Sequence, residues 1–116
     1  MFTVDFYPLH DGTKPVARFI RSIEDQKLKA KVLRSLKLLE AYGNALREPD
    51  SKALGDGIFE LRTIQGNDIV RCLYFFVPGK RVIVTNGFIK KADDIPSEEL
   101  RVARDRKADY ERRFPR

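Results

Sequence analysis

Between Ile58 and Ile89 three strand-length runs follow one another with only a few residues between them. The runs are Ile58 to Ile64, Ile69 to Val77 and Arg81 to Ile89, joined by Gln65-Gly66-Asn67-Asp68 and Pro78-Gly79-Lys80. A parallel crossover needs a dozen or more residues, so joins this short make hairpins. The middle of the chain is therefore an antiparallel meander that the remaining segments must cover.

Phe2, Val4 and Phe6 alternate with Thr3, Asp5 and Tyr7, the period of a strand with one buried face, and Pro8 closes that strand. After the Asp11-Gly12 turn, Val16, Phe19, Ile20 and Ile23 recur at helical spacing, with Pro15 suited to a first turn. Leu28, Val32, Leu36 and Leu39 form the stripe of a second helix that ends at Gly43; Lys27, Lys31, Arg34 and Lys37 lie mostly off it. Glu48 to Gly57 is rich in turn formers and reads as a loop. A last helix is expected with Ser97 as its cap and Glu98 and Glu99 at the positive end of its dipole. Leu100, Ala103, Tyr110 and Phe114 would form its inner face. The order β-α-α-β-β-β-α predicts an α+β domain, with an N-terminal strand and a helical hairpin on an antiparallel sheet and the helices on one side.

At 116 residues the chain is one domain long, residues 1–116. Lysine and arginine number 23 against 17 acidic residues, a formal charge of +6. That suits a polyanionic partner and equally a well-solvated surface. A single cysteine, Cys72, excludes an internal disulfide and fits a reducing compartment, hence the cytosol. The N-terminus lacks a secretory pattern, and no apolar run approaches a membrane span, so no membrane association is expected.

If Ile64 pairs with Ile69 across the first hairpin, Arg62 falls directly opposite Arg71. Opposed like charges cost up to about 1 kcal/mol, so something must offset the pair. A bound phosphate would do so, and so would Glu60, two residues from Arg62 on the same face. If a phosphate does, Arg→Ala at either position should abolish activity and leave folding intact or slightly improved. In the third run one of Lys90 and Lys91 shares the arginine face: pairing Val77 with Lys80 favours Lys90, and a shift of one residue favours Lys91. Among Tyr74, Phe75, Phe76 and Phe88, which interleave with these cations, Phe88 is the best candidate to stack a base, the others reading as core. Tyr110 either packs or points its hydroxyl into a site beside the sheet. His10 is the only histidine, no cluster has metal-ligand spacing, and no glycine-rich phosphate loop is present, so neither a metal nor a nucleotide cofactor is expected. Arginine and lysine can nevertheless stabilise charge developing on a phosphoryl group without a metal.

The segments Leu54-Gly55-Asp56-Gly57-Ile58-Phe59-Glu60-Leu61-Arg62, Arg71-Cys72-Leu73-Tyr74-Phe75-Phe76 and Gly87-Phe88-Ile89-Lys90-Lys91 stand in this order. Ile95-Pro96 follows, then the helix with Ala103, Arg106 and Tyr110. Together they resemble the phage-related, HigB-like branch of the RelE/ParE toxin superfamily, over nearly the whole chain. The resemblance implies an α+β fold and, as in most characterised HigB and RelE proteins, an endoribonuclease that cuts mRNA in the ribosomal decoding site. It also implies a separate antitoxin, of HigA type with a helix-turn-helix domain, in a toxin–antitoxin hetero-oligomer. By the same resemblance Arg62, Arg71 and Lys90 or Lys91 match positions that keep basic residues for the scissile phosphate, with Tyr110 a weaker match. The chain lacks histidines that some HigB proteins use. A ParE-like poison of DNA gyrase and an inactive nucleic-acid-binding relic share the same fold and charge.

Overall fold

The structure is a computed structural model that describes residues 1–90 and 94–115. In chain order it contains β1 (Thr3–Phe6), α1 (Pro15–Ser22), α2 (Gln26–Tyr42), β2 (Ser51–Gly55), β3 (Ile58–Gln65), β4 (Asp68–Val77), β5 (Arg81–Ile89) and α3 (Ser97–Arg113). The fold is α+β, with a five-stranded sheet in the order β1-β5-β4-β3-β2. The meander forms as its short joins require, and β1 adds to β5 in parallel, so the sheet is mixed at that edge.

Three sequence expectations need correction. The segment from Glu48 to Gly57 is not all loop: Ser51–Gly55 is a strand paired antiparallel with β3. Its turn formers flank that strand: Pro49 and Asp50 precede it, and Gly55, Asp56 and Gly57 at the turn into β3 all take positive φ. Ser97 does not cap α3. Pro96 holds the cap position without a side-chain hydrogen bond, while Glu98 and Glu99 do occupy the first turn. Finally, the helices do not share one side of the sheet. Residues of α1 and α2 pack with Leu61, Val70, Cys72, Tyr74, Val82 and Val84. On the other face Ala103 and Tyr110 of α3 pack with Ile58, Leu73, Phe75 and Ile83. The physical reason is β4, buried from Val70 through Phe75 on both faces, which demands cover on each side.

The far end of α3 is pinned to the β1–α1 connection. Tyr7 donates its hydroxyl proton to Asp109 Oδ2, and Arg113 Nη1 donates to the same oxygen at 3.0 Å and to the Pro8 carbonyl at 2.7 Å. Chiefly through the Tyr7 hydrogen bond, then through Arg113, the Asp109 carboxyl is held at about 2. A carboxyl depressed in the folded state stabilises at pH above its ordinary value of 3.8 and loses that effect as pH falls toward about 2. Asp109→Asn should therefore lower the melting temperature at pH 6, and the difference should close near pH 2. Thermal melts of both proteins across that range check this; equal melting temperatures at pH 6 would remove Asp109 from the account of stability.

Candidate phosphate-binding cleft

The hairpin register is the expected one: Ile64 faces Ile69 and Arg62 faces Arg71. Between the two guanidinium groups lies Glu60. Arg71 Nη1 donates to Glu60 Oε2 at 2.9 Å, and Arg62 Nε stands 3.1 Å from Glu60 Oε1. Glu60 and Arg71 are each 1% exposed. The cross-strand repulsion is thus offset inside the protein by a carboxylate, and no bound phosphate is needed to explain it. Burial of this kind costs several kcal/mol per ion before mutual attraction repays it, which makes both partners interdependent.

The same face opens into a cleft of about 820 Å³. Lys52 and Leu54 of β2 form one wall, Glu60, Arg62 and Arg71 the floor, and Asp94, Ile95 and Leu100 the other wall. It exists because α3 begins only at Ser97 and covers the half of the face carrying Leu73, Phe75 and Ile83. Among the described lining residues three cations, Lys52, Arg62 and Arg71, stand against the two carboxylates Glu60 and Asp94. Arg71 is spent on Glu60. Arg62 is not: its side chain is 22% exposed, it meets Glu60 through Nε, and its terminal nitrogens face no partner among the described residues. Lys52, exposed and opposite Glu60 in register, likewise has no ion pair among the described residues. Arg62 Nε and Glu60 Oε1 form an ion pair without a hydrogen bond, and a guanidinium held this way, with its terminal nitrogens toward the cleft, could take a phosphate bidentately, with Lys52 as a second cation lining the same cleft.

The other anticipated residues divide. The β4–β5 pairing follows neither anticipated register throughout. It begins with Val77 opposite Arg81, and a bulge at Thr85 then adds a residue, so that Phe88 stands opposite Arg71. Alternation and the hydrogen bond from Lys90 N to the Ile69 carbonyl at 2.9 Å put Lys90 on the arginine face, half-buried and not among the described residues lining the cleft. Lys91 lies outside the described residues. Phe88 is half-buried and packs against the cluster of Ile58, Leu73 and Ala103, beside Leu54, Ile95 and Leu100 of the cleft walls. Tyr110 is not brought to the arginines. It is buried near the opposite end of β4, its ring against Phe75 and its hydroxyl accepting from Arg81 Nη2 at 2.8 Å, beside a separate cavity of about 370 Å³. Tyr74 and Phe75 are core. His10 pairs with Asp109 at 3.4 Å, outside the cleft. Burial pushes the Cys72 thiol up to about 12, which leaves it unreactive. Lys52 was missed from sequence because its segment read as loop; a strand pairing with Ile58–Leu61 would have placed it beside Glu60.

A mixed sheet sandwiched between a helical hairpin and a C-terminal helix, with a cleft floored by Glu60, Arg62 and Arg71 at the N-terminal end of that helix, defines a class of small α+β proteins. A family model described as Phage derived protein Gp49-like (DUF891) matches residues 18–108, and the chain belongs to that family. The family lies within the RelE/ParE-like toxin superfamily and is associated with toxin–antitoxin toxins of RelE type, which implies an antitoxin partner. No curated protein matches the chain. Among the described residues no helix is long and apolar enough to cross a membrane.

Proposed function

We propose that residues 1–116 form the toxin domain of a type II toxin–antitoxin pair of the HigB-like branch, an endoribonuclease that cuts mRNA on the ribosome in the cytosol. The observation that carries this reading is the guanidinium of Arg62, ion-paired with Glu60 through Nε, in a cleft that Lys52 also lines. Arg62 and Lys52 take the non-bridging oxygens of the scissile phosphate, while Arg71 holds Glu60 and through it the aim of Arg62. The ribose 2′-oxygen attacks the adjacent phosphorus and gives up its proton, and the bond to the 5′-oxygen breaks as that oxygen gains one. The products are a 2′,3′-cyclic phosphate and a 5′-hydroxyl. Charge that develops on the phosphoryl oxygens meets fixed cations, so the step needs no metal. Lys90 adds positive charge on the same face, and Phe88 offers its partly exposed ring as a wall for a base. Tyr110 has no part in this chemistry.

The partner is a HigA-like helix-turn-helix antitoxin encoded beside this gene, and an acidic surface on it would match the +6 charge of the toxin. Induction in bacteria tests the reading. Rapid loss of translation with cleaved messages is the expected result, and co-expression of the neighbouring open reading frame should restore growth. A DNA-damage response with filamentation would instead establish a ParE-like gyrase poison, and harmless expression an inactive relic.

A further inference from the structure

The chain's net charge is concentrated away from the cleft. From Lys14 to Gly43 eight basic residues stand against three acidic ones, which accounts for +5 of the total +6. None of those eight cations takes part in an ion pair among the described residues. Helix α3 is built the opposite way. Arg101 pairs with Glu98 and with Asp105 at 3.0 Å, Lys107 with Glu111 at 3.4 Å, and Arg113 with Asp109 at 3.0 Å. Acidic residues fill its first turn and basic residues its last, in accord with the helix dipole. In α2 the first turn has no acidic residue, the last turn no basic one, and Lys27 and Lys29 sit near the positive end. Lys27, Lys31 and Arg34, four and three residues apart, share one face and repel each other there. Asp25 caps the start of α2 by accepting from Lys27 N and Leu28 N, but among the described residues no carboxylate pairs with the side chains of Lys27, Lys31 and Arg34, so an external anion lying along this face would relieve their mutual repulsion.

The position of this row says which anion. Lys31 Nζ donates to the Ile64 carbonyl at 3.4 Å, and Ile64 lies two residues from Arg62 on β3. Backbone hydrogen bonding on the outer side of β3 ends with Arg62 N donating to the Asp50 carbonyl at 2.9 Å, so from Thr63 onward β3 is the open edge of the sheet. A chain leaving the cleft past Arg62 therefore rounds a bare edge and meets Lys31, with Lys27 and Arg34 beside it. We propose that the Lys27, Lys31 and Arg34 row is a second, non-catalytic contact for the phosphate backbone of the same single-stranded RNA that occupies the cleft, continuing its path around the edge of β3. The proposal rests on the reading of the cleft as an RNA site, and continuity with Arg62 is what selects RNA over an acidic protein.

Binding of the purified full chain to fluorescent RNA oligonucleotides of about four and about sixteen nucleotides, across a salt series, tests this. The variant is Lys27→Gln with Lys31→Gln and Arg34→Gln; a charge-matched control carries Arg101→Gln, Arg104→Gln and Arg112→Gln on α3. For the long oligonucleotide the row variant should bind about tenfold more weakly at low salt, with the slope of log affinity against log salt reduced by about 2. The short oligonucleotide should bind it as it binds wild type and should be lost with Arg62→Ala, and the α3 control should follow wild type on both. Long-oligonucleotide binding by the row variant equal to the control would overturn the second contact and leave the cleft reading standing. Failure of wild type to bind the long oligonucleotide would overturn the second contact, while message cleavage on ribosomes decides the cleft reading separately. Loss of poly-glutamate binding by the row variant with RNA binding retained would overturn the proposal and assign the face to an acidic protein.

Discussion

Arg71→Ala should cost about 3–5 kcal/mol of folding stability, because it strands Glu60 as a buried carboxylate without its principal partner. A domain of this size holds roughly 5–15 kcal/mol in total, so the variant sits at the edge of unfolding. Urea denaturation followed by circular dichroism measures the loss. This reverses the sequence-based expectation that either arginine could be removed without harm to the fold, since the repulsion that removal would relieve is already neutralised by Glu60. The double change Glu60→Leu with Arg71→Met, which removes both charges and keeps apolar volume, should recover most of the stability while leaving Arg62 without its anchor. A loss below about 1 kcal/mol for Arg71→Ala would show that the buried pair is not what holds this end of the sheet.

Arg62→Ala should behave in the opposite manner. Its side chain is partly exposed, and its removal leaves Glu60 still bonded to Arg71, so the stability change should stay within about 1 kcal/mol. Toxicity should nevertheless be abolished, with RNA cleavage slowed about 10²–10³-fold through loss of a fixed cation at the scissile phosphate. Arg62→Lys should restore little, since an ammonium cannot contact Glu60 and grip a phosphate with the same planar fork. Growth curves at matched expression, together with single-turnover cleavage rates, separate the two arginines. Full toxicity of folded Arg62→Ala would remove the cleft from the mechanism.

The contrast between these arginines marks where sequence reasoning stops. Two-residue alternation and the four-residue join were enough to place Arg62 opposite Arg71, because a hairpin register follows from its turn. Which arginine is buried and which faces the cleft depends on Glu60, whose reach across the strands is a side-chain geometry that strand period does not encode. The bulge at Thr85 was equally invisible: an extra residue in β5 has no local signature there, and it decides that Phe88 faces Arg71 and that Lys90 joins the arginine face. Lys52 was hidden by Pro49, Asp50, Gly55, Asp56 and Gly57, whose turn chemistry masked a short strand between them. The two-sided cover of the sheet could have been read. The unbroken apolar stretch from Cys72 to Val77 is the mark of a strand buried on both faces, and it requires α3 to cross to the side opposite the helical hairpin. Tyr110 matched the family pattern by position along the chain, but a helix running from the cleft toward Arg81 carries it to the other end of the sheet.

In the proposed reaction a folded cleft centred on Arg62 cuts RNA. Its most direct measurement is the time course of message cleavage by purified protein on translating ribosomes, with the new ends characterised chemically and wild type run beside Arg62→Ala. Wild type should produce fragments with a 2′,3′-cyclic phosphate and a 5′-hydroxyl, and natively folded Arg62→Ala should be slower by at least about 10²-fold. Message that stays intact with wild-type protein in excess over ribosomes, or cleavage at the wild-type rate by Arg62→Ala, would contradict it.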